Sequence, residues 1–151
     1  MVFEHDYEKY PELTNKQIAE IGFTSPFPQI TEDFEAEVSK VVDGDTVHLR
    51  WSMRDFDFPL RLLDINAPEL SEGGQEAKEW LKNRIEGEMV TIQINKFNRV
   101  GKYGRLLGKI IHSGLDVGSE MLSLGLVKLF GEKDYFPLLA KELRIKKWFS
   151  N

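Results

Sequence analysis

The chain has 151 residues, no cysteine, 41% hydrophobic residues and a formal net charge of −5. This length suits one domain with a sizeable core, and the lack of cysteine excludes thiol nucleophiles and cysteine-bound metals. The N-terminus has no basic start followed by an apolar run, and no apolar stretch approaches the roughly 20 residues of a membrane span. We therefore expect a monomeric, cytoplasmic protein that does not act at a membrane.

The charges are distributed unevenly along the chain. Residues 1–37 hold nine acidic and two basic groups, whereas residues 91–112 hold five cations and no acid. These five are Lys96, Arg99, Lys102, Arg105 and Lys109. Such a stretch suits contact with phosphates, or is an ordinary solvated strand edge. If the acidic segment covers this cationic stretch and competes with a phosphate-bearing substrate, deleting residues 1–33 should raise the affinity for that substrate at low salt.

Residues 1–33 are predicted to form an acidic N-terminal arm. Thr14 or Asn15 is placed to cap a short helix over residues 16–20. Residues 25–28 must then run extended, because proline fixes φ and restricts the residue before it. The apolar residues expected to pin the arm to the main body are Phe23, Phe27 and Ile30.

Residues 34–151 are predicted to form an α+β domain. The pattern favours strands over residues 34–42, 46–51, 56–65, 90–94 and 106–111. It favours helices over residues 77–85, 117–124 and 138–148. The links between strands are mostly too short for crossover helices. A five-stranded OB-fold β-barrel with about three helices, plus the arm, is therefore the predicted fold.

Two acids flank a glycine where the first two predicted strands meet. Gly44 lets the backbone bend sharply, so the side chains of Asp43 and Asp45 can lie on one face. Two adjacent carboxylates need charge compensation, and a hard cation such as Ca²⁺ supplies it. The alternative is an ordinary Asp-Gly hairpin turn.

The segment from Arg61 to Glu69 combines a charged strand residue with a restrained acid. A guanidinium in an otherwise apolar strand needs an anionic partner, and bidentate phosphate binding suits its geometry. Pro68 restricts the backbone immediately before Glu69, which keeps that carboxylate in one place. Alternatively, Arg61 pairs with Asp64 or Asp57 and Glu69 caps the next helix.

A glycine-flanked turn follows the predicted fourth strand. Gly101 and Gly104 enclose Lys102 and Tyr103, and Arg105 comes directly after them. A second arginine held by this turn could clamp a phosphodiester from the other side. The motif is equally compatible with a solvated hairpin.

In this order, these motifs resemble the staphylococcal nuclease family over about residues 34–148. The resemblance implies an OB barrel and a calcium-dependent nuclease that leaves 3′-phosphate ends on DNA or RNA. It implies that Asp45 binds Ca²⁺, that Glu69 is the general base, and that Arg61 and Arg105 bind phosphate and stabilise its pentacoordinate state. It also implies that two substrate-binding residues contact a terminal phosphate, namely Lys102 and Tyr103.

Two metal-ligand positions depart from the family pattern. Asn66 stands where the family commonly has an aspartate, and this loss of charge should weaken Ca²⁺ binding. Ala67 stands where a threonine binds the metal through its backbone carbonyl, which the substitution preserves. Asp64 compensates only if the strand continues through it. The alternatives to a nuclease are an inactive OB-fold module that binds nucleic acid and a protein-interaction domain.

Overall fold

The computed structural model of the protein describes residues 11–19, 28–101 and 104–130. The strands in this part are β1 (Phe34–Asp43), β2 (Thr46–Arg50), β3 (Phe58–Leu62), β4 (Ile65–Asn66), β5 (Met89–Gln93), β6 (Leu106–His112), β7 (Leu115–Asp116) and β8 (Lys128–Leu129). The helices are α1 (Asn15–Ala19), α2 (Gly74–Ile85) and α3 (Val117–Ser123), with a 3-10 turn over Leu70–Glu72.

Five strands close into a barrel. β1 lies between β2 and β5, and it is antiparallel to both. β3 pairs with the other edge of β2, and β6 pairs with the other edge of β5. The ring closes because β3 also pairs with β6 in parallel, with Leu60 opposite Leu106. The predicted five-stranded barrel with three helices is confirmed.

The predicted strand over residues 56–65 was wrong in its extent. β3 ends at Leu62, and Asp64 has a φ of 67°, a conformation that interrupts a strand. The chain then forms β4, which pairs with β8 in a separate small sheet. The apolar residues on both sides of Asp64 gave no sign of this turn, and two-residue strands lack a recognisable period.

Apolar side chains fill the barrel and the space under α2. Val38, Leu49 and Phe58 point inward from three strands and are fully buried. α2 packs against β1 through a stripe whose spacing matches one face of a helix. Its buried members include Ala77, Leu81 and Ile85. No helix of the described residues is long and apolar enough to cross a membrane.

The described parts of the arm pack onto the barrel. The Gln17 amide donates to the Thr14 hydroxyl at 3.1 Å, and the Thr14 amide donates to the Gln17 side chain at 2.9 Å. This reciprocal capping box confirms Thr14 as the cap of α1. Ile30 joins the core cluster, as predicted. Phe23, Phe27 and the predicted helix over residues 138–148 lie outside the described residues.

Candidate active site

The turn between β1 and β2 holds Asp45 in a crowded position. Its carboxylate accepts a hydrogen bond from the Thr46 hydroxyl at 3.1 Å, and its amide donates to Asp43 Oδ1 at 3.1 Å. A Cβ at Gly44 would lie only 2.7 Å from Ala77 Cβ and 2.9 Å from Ala67 Cβ. Glycine therefore allows the turn to sit against both α2 and the segment after β4.

Arg61 joins this turn to the segment that follows β3. It lies opposite Thr46 across the β2–β3 pair, which brings its guanidinium beside Asp45. Nη2 lies 3.4 Å from Asp45 Oδ2 and donates to Asn66 Oδ1 at 3.1 Å. Nη1 donates to the carbonyls of Leu62 and Ile65 at 2.9 and 2.7 Å. Arg61 thus fixes the chain path through β4 and faces two side-chain oxygens.

The two carboxylates predicted as alternative partners of Arg61 lie elsewhere in the structure. Asp57 pairs with Arg50 at 3.3 Å on the outer surface. Asp64 lies in the turn after β3, where its side chain is exposed. Because the strand ends before Asp64, the condition under which it would compensate for Asn66 is not met.

Burial controls the charge of Asp45. Its side chain is 11% exposed, and this burial raises its pKa to about 6, with the contact to Asp43 acting in the same direction. The Ala67 amide, which donates to Asp45 Oδ2 at 2.8 Å, and Arg61 lower the pKa without offsetting burial. Burial therefore outweighs the two contacts that stabilise the ionised carboxylate.

Two side-chain oxygens near Asp45 face the same positively charged group. Asp45 Oδ2 and Asn66 Oδ1 both face Nη2 of Arg61, so two oxygens already converge on one positively charged atom. Within the described ranges no group of three or more His, Asp and Glu is placed to hold a metal. A cation here would therefore need neutral oxygens as well as carboxylates, a mixture that suits Ca²⁺. Ala67 contacts Asp45 through its amide nitrogen.

Glu69 is held by its backbone at the start of the 3-10 turn. Its carbonyl accepts hydrogen bonds from the amides of Glu72 and Gly74, at 2.8 and 2.9 Å. Its side chain is exposed and makes no capping hydrogen bond with the described residues. The alternative prediction of a capping role is therefore wrong, and the carboxylate is accessible to solvent beside the segment that contains Asn66.

Gly74 is required where α2 begins beside Glu69. A Cβ at this position would lie 2.2 Å from the Pro68 carbonyl oxygen and 2.7 Å from that of Glu69. No side chain fits in that space without a backbone shift. The close approach therefore links the position of Glu69 to the position of α2.

Arg105 is linked to the same site through Thr46. Its Nη1 lies 3.4 Å from the Thr46 hydroxyl, which also donates to Asp45. Arg61 and Arg105 line one cleft of about 390 Å³. The wall of this cleft also includes Phe130, a residue that is 72% exposed. Lys102 and Tyr103 lie outside the described residues.

The structure thus brings together most of the sequence-predicted site residues. Asp45, Arg61, Asn66, Ala67 and Arg105 are linked by direct contacts or through Thr46. No hydrogen bond or ion pair joins the Glu69 carboxylate to this group within the described residues. Sequence reasoning missed Thr46 as the bridging residue, although its place after Asp45 at the start of a strand was a usable signal.

Comparison with known proteins decides the family. The sequence model described as "Staphylococcal nuclease homologue" matches residues 59–143, more than half of the chain. The chain belongs to this family. The match includes Arg61, Asn66, Glu69 and Arg105, whereas Asp45 lies before it. Membership in the staphylococcal nuclease family confirms the predicted enzyme class, a nuclease-type hydrolase of phosphodiesters.

Individual relatives of this staphylococcal nuclease homologue are similar at modest identity. An "Uncharacterized endonuclease" of Escherichia coli O157:H7 is 28% identical over 137 residues, covering 87% of this chain and 86% of the relative. "Endonuclease YhcR" of Bacillus subtilis (strain 168) is 28% identical over 140 residues, covering 80% of this chain but 11% of the relative. An "Uncharacterized 38.1 kDa protein" of Capnoides sempervirens is 35% identical over 85 residues, covering 56% of this chain and 24% of the relative.

Proposed function

We propose that this protein is a calcium-dependent nuclease that hydrolyses DNA or RNA by attack of water and leaves 3′-phosphate ends. The observation that carries the proposal is that Asp45 contacts Arg61 directly and Arg105 through the Thr46 hydroxyl, while both arginines line one cleft. Two guanidinium groups and a buried carboxylate in such proximity suit a phosphodiester whose negative charge grows during reaction. The endonuclease names of two relatives support the same substrate class.

Each side chain has a distinct role in the proposal. Arg61 and Arg105 bind the phosphate and stabilise the charge on its oxygens. Glu69 accepts a proton from the attacking water. The water oxygen bonds to phosphorus and the P–O5′ bond breaks. The 5′ oxygen takes a proton from solvent and leaves as a hydroxyl, and Glu69 returns its proton to solvent. The phosphate remains on the 3′ oxygen.

The remaining roles concern the metal and the substrate turn. Asp45, Asn66 and the Ala67 carbonyl would hold Ca²⁺, which when bound supplies Lewis-acid polarisation of a phosphoryl oxygen. Lys102 and Tyr103 are proposed to contact a terminal phosphate. Phe130 is accessible for stacking against a base, since it is exposed on the wall of the cleft that contains both arginines.

One observation favours a second function, an OB-fold module that binds nucleic acid without cleaving it. Asn66 carries no charge at a position where the family commonly has a carboxylate, so the proposed metal site has less negative charge. Weak metal binding would leave the arginine cleft able to bind phosphate without supporting hydrolysis.

The Glu69→Gln substitution tests the nuclease proposal. We expect the purified protein to degrade single-stranded DNA with Ca²⁺ and to stop when a chelator is added. Loss of a general base lowers rates by about 10²- to 10⁴-fold, so Glu69→Gln should lose most cleavage while binding DNA with unchanged affinity. Initial rates and fluorescence anisotropy measure the two quantities separately.

The matched control for this substitution is Glu72→Gln. Glu72 lies three positions further along, in the 3-10 turn, and is exposed like Glu69. Its variant should cleave at the wild-type rate. Unchanged cleavage by Glu69→Gln would show that Glu69 is not the general base. Binding without cleavage by the wild-type protein would favour the OB-fold module, and no binding would favour a protein-interaction domain.

A further inference from the structure

A buried cluster of three charged residues lies outside the cleft. Glu12 comes from the arm, Arg54 from the loop between β2 and β3, and Arg99 from the connection between β5 and β6. Their side chains are at most 2% exposed. The Glu12 carboxylate pairs with Arg54 and with Arg99 Nη2, the latter at 2.8 Å. Because a buried charge is costly without its partner, these three segments are strongly coupled.

Every guanidinium nitrogen of Arg99 donates to the arm. Nη2 donates to Glu12, as above, and Nε donates to the Ile30 carbonyl at 2.7 Å. Nη1 donates to the Leu13 carbonyl at 2.9 Å and to Asn15 Oδ1 at 3.1 Å. Asn15 also donates to the Lys96 carbonyl at 2.9 Å. The arm thus holds the β5–β6 connection from two of its described segments.

The backbone of Arg99 belongs to the base of the turn that carries Arg105. Its carbonyl accepts a hydrogen bond from the Leu107 amide at 2.8 Å. The Gly101 amide donates to the Arg105 carbonyl at 2.8 Å, and Val100 forms a bridge with Leu106. The side chain of Arg99 is therefore bound to the arm while its main chain helps to fix the wall of the cleft.

We propose that Glu12 is a positioning residue of the active site, which acts through Arg99 to hold Arg105 in place for phosphate binding. This inference rests on the proposed function, because it assigns Arg105 to phosphate. An arginine that stabilises a transition state must be held to a fraction of an ångström. Glu12 supplies this restraint by fixing Arg99 at the base of the turn, so the arm takes part in catalysis without touching substrate.

A double-mutant cycle tests the proposal. Glu12→Gln keeps the shape of the side chain but removes its charge, and we expect it to lower kcat/KM about tenfold, within the range of coupled residues. Combined with Arg105→Ala, the same substitution should have almost no further effect, because the group that it positions is gone. An equal loss in both backgrounds would show a merely structural role and overturn the proposal.

Asn15→Ala provides a milder variant that removes one hydrogen bond of Arg99 but leaves the Glu12 carboxylate and its two ion pairs in place. Asn15 is exposed, so this protein should fold even if Glu12→Gln does not. Its contacts to Arg99 and Lys96 predict a loss of about two- to threefold in kcat/KM, again absent from the Arg105→Ala background. Additivity here would also overturn the inference.

Glu120→Gln is the matched control. Glu120 pairs with Arg84 at 3.0 Å, and the Glu120 side chain is 26% exposed. Both residues of this pair are distant in sequence from Arg105. Glu120→Gln should change kcat/KM by the same factor in the wild-type and Arg105→Ala backgrounds. If Glu120 were coupled to Arg105 as strongly as Glu12 is, the proposed action of Glu12 through Arg99 would be overturned. If Arg105→Ala alone cleaves like the wild type, the role of Arg105 in the proposed function fails first. That outcome is distinguishable from additivity.

Discussion

At the scale of single residues, Asn66 determines how much negative charge the proposed metal site carries. Its amide oxygen already faces the positive Nη2 of Arg61 together with Asp45. Asn66→Asp should therefore tighten Ca²⁺ binding, by about tenfold, because affinity follows the number of charged ligands. Calorimetric titration with Ca²⁺ measures this change directly.

A control separates ligation from long-range attraction. Asn98→Asp adds the same charge on the wall of the cleft. It should change Ca²⁺ affinity much less than Asn66→Asp does. Equal affinity in Asn66→Asp and the wild type would mean that position 66 does not bind the ion.

At the scale of elements, the start of α2 controls where Glu69 lies. Gly74→Ala places a Cβ within 2.2 Å of the Pro68 carbonyl oxygen, so the helix or the loop must move. We expect a loss of about 1–3 kcal/mol in unfolding free energy, as for other overpacked sites. Cleavage by the folded variant should fall as well. Urea unfolding and initial rates measure the two effects.

Gly118→Ala is the control for that substitution, since Gly118 is also an early residue of a helix, α3. The nearest atom to its added Cβ would be Asp116 Oδ1 at 3.4 Å, an ordinary contact. Alanine favours a helix over glycine by up to about 1 kcal/mol, so this variant should be as stable as the wild type or more so. A Gly74→Ala protein as stable and active as Gly118→Ala would contradict the close approach described above.

The elements that sequence could predict are those with a local signal. Alternation predicted β1, β2 and β5, and a helical stripe predicted α2. The partners of Arg61 had no such signal, because they depend on the register that sets Arg61 opposite Thr46. The pairing of Glu12 with Arg99 had none either, since charged residues far apart in sequence are individually typical of surfaces.

At the scale of the whole molecule, the arm and the barrel share buried charges and buried apolar contacts. Deleting residues 1–33 would remove Glu12, Leu13 and Ile30 together and leave Arg54 and Arg99 without their carboxylate. Removal of one partner from a buried pair costs about 3–5 kcal/mol. We expect the deletion to lower the melting temperature and to weaken DNA binding at low salt, because the turn of Arg105 loses its support.

Competition by the acidic arm predicts the opposite sign for binding. If the arm only covers the cationic segment, deletion of residues 1–33 should raise affinity at low salt. A shorter deletion that ends at residue 10 is the control, since it removes acidic residues but spares Glu12. Competition would be favoured if the protein lacking residues 1–33 were as stable as the one lacking residues 1–10 and bound DNA more tightly. The boundary predicted between an arm and a domain at residue 33 stays a prediction.

The parallel pairing of β3 with β6 has a consequence for how the enzyme acquires activity. Arg61 lies opposite Leu107, so the two arginines become neighbours only when segments far apart in the chain have met in this register. A slip by one residue would turn alternate side chains to the other surface. During refolding, cleavage can therefore return no earlier than this non-local step. The time course of recovered cleavage would then set a limit on when the barrel closes.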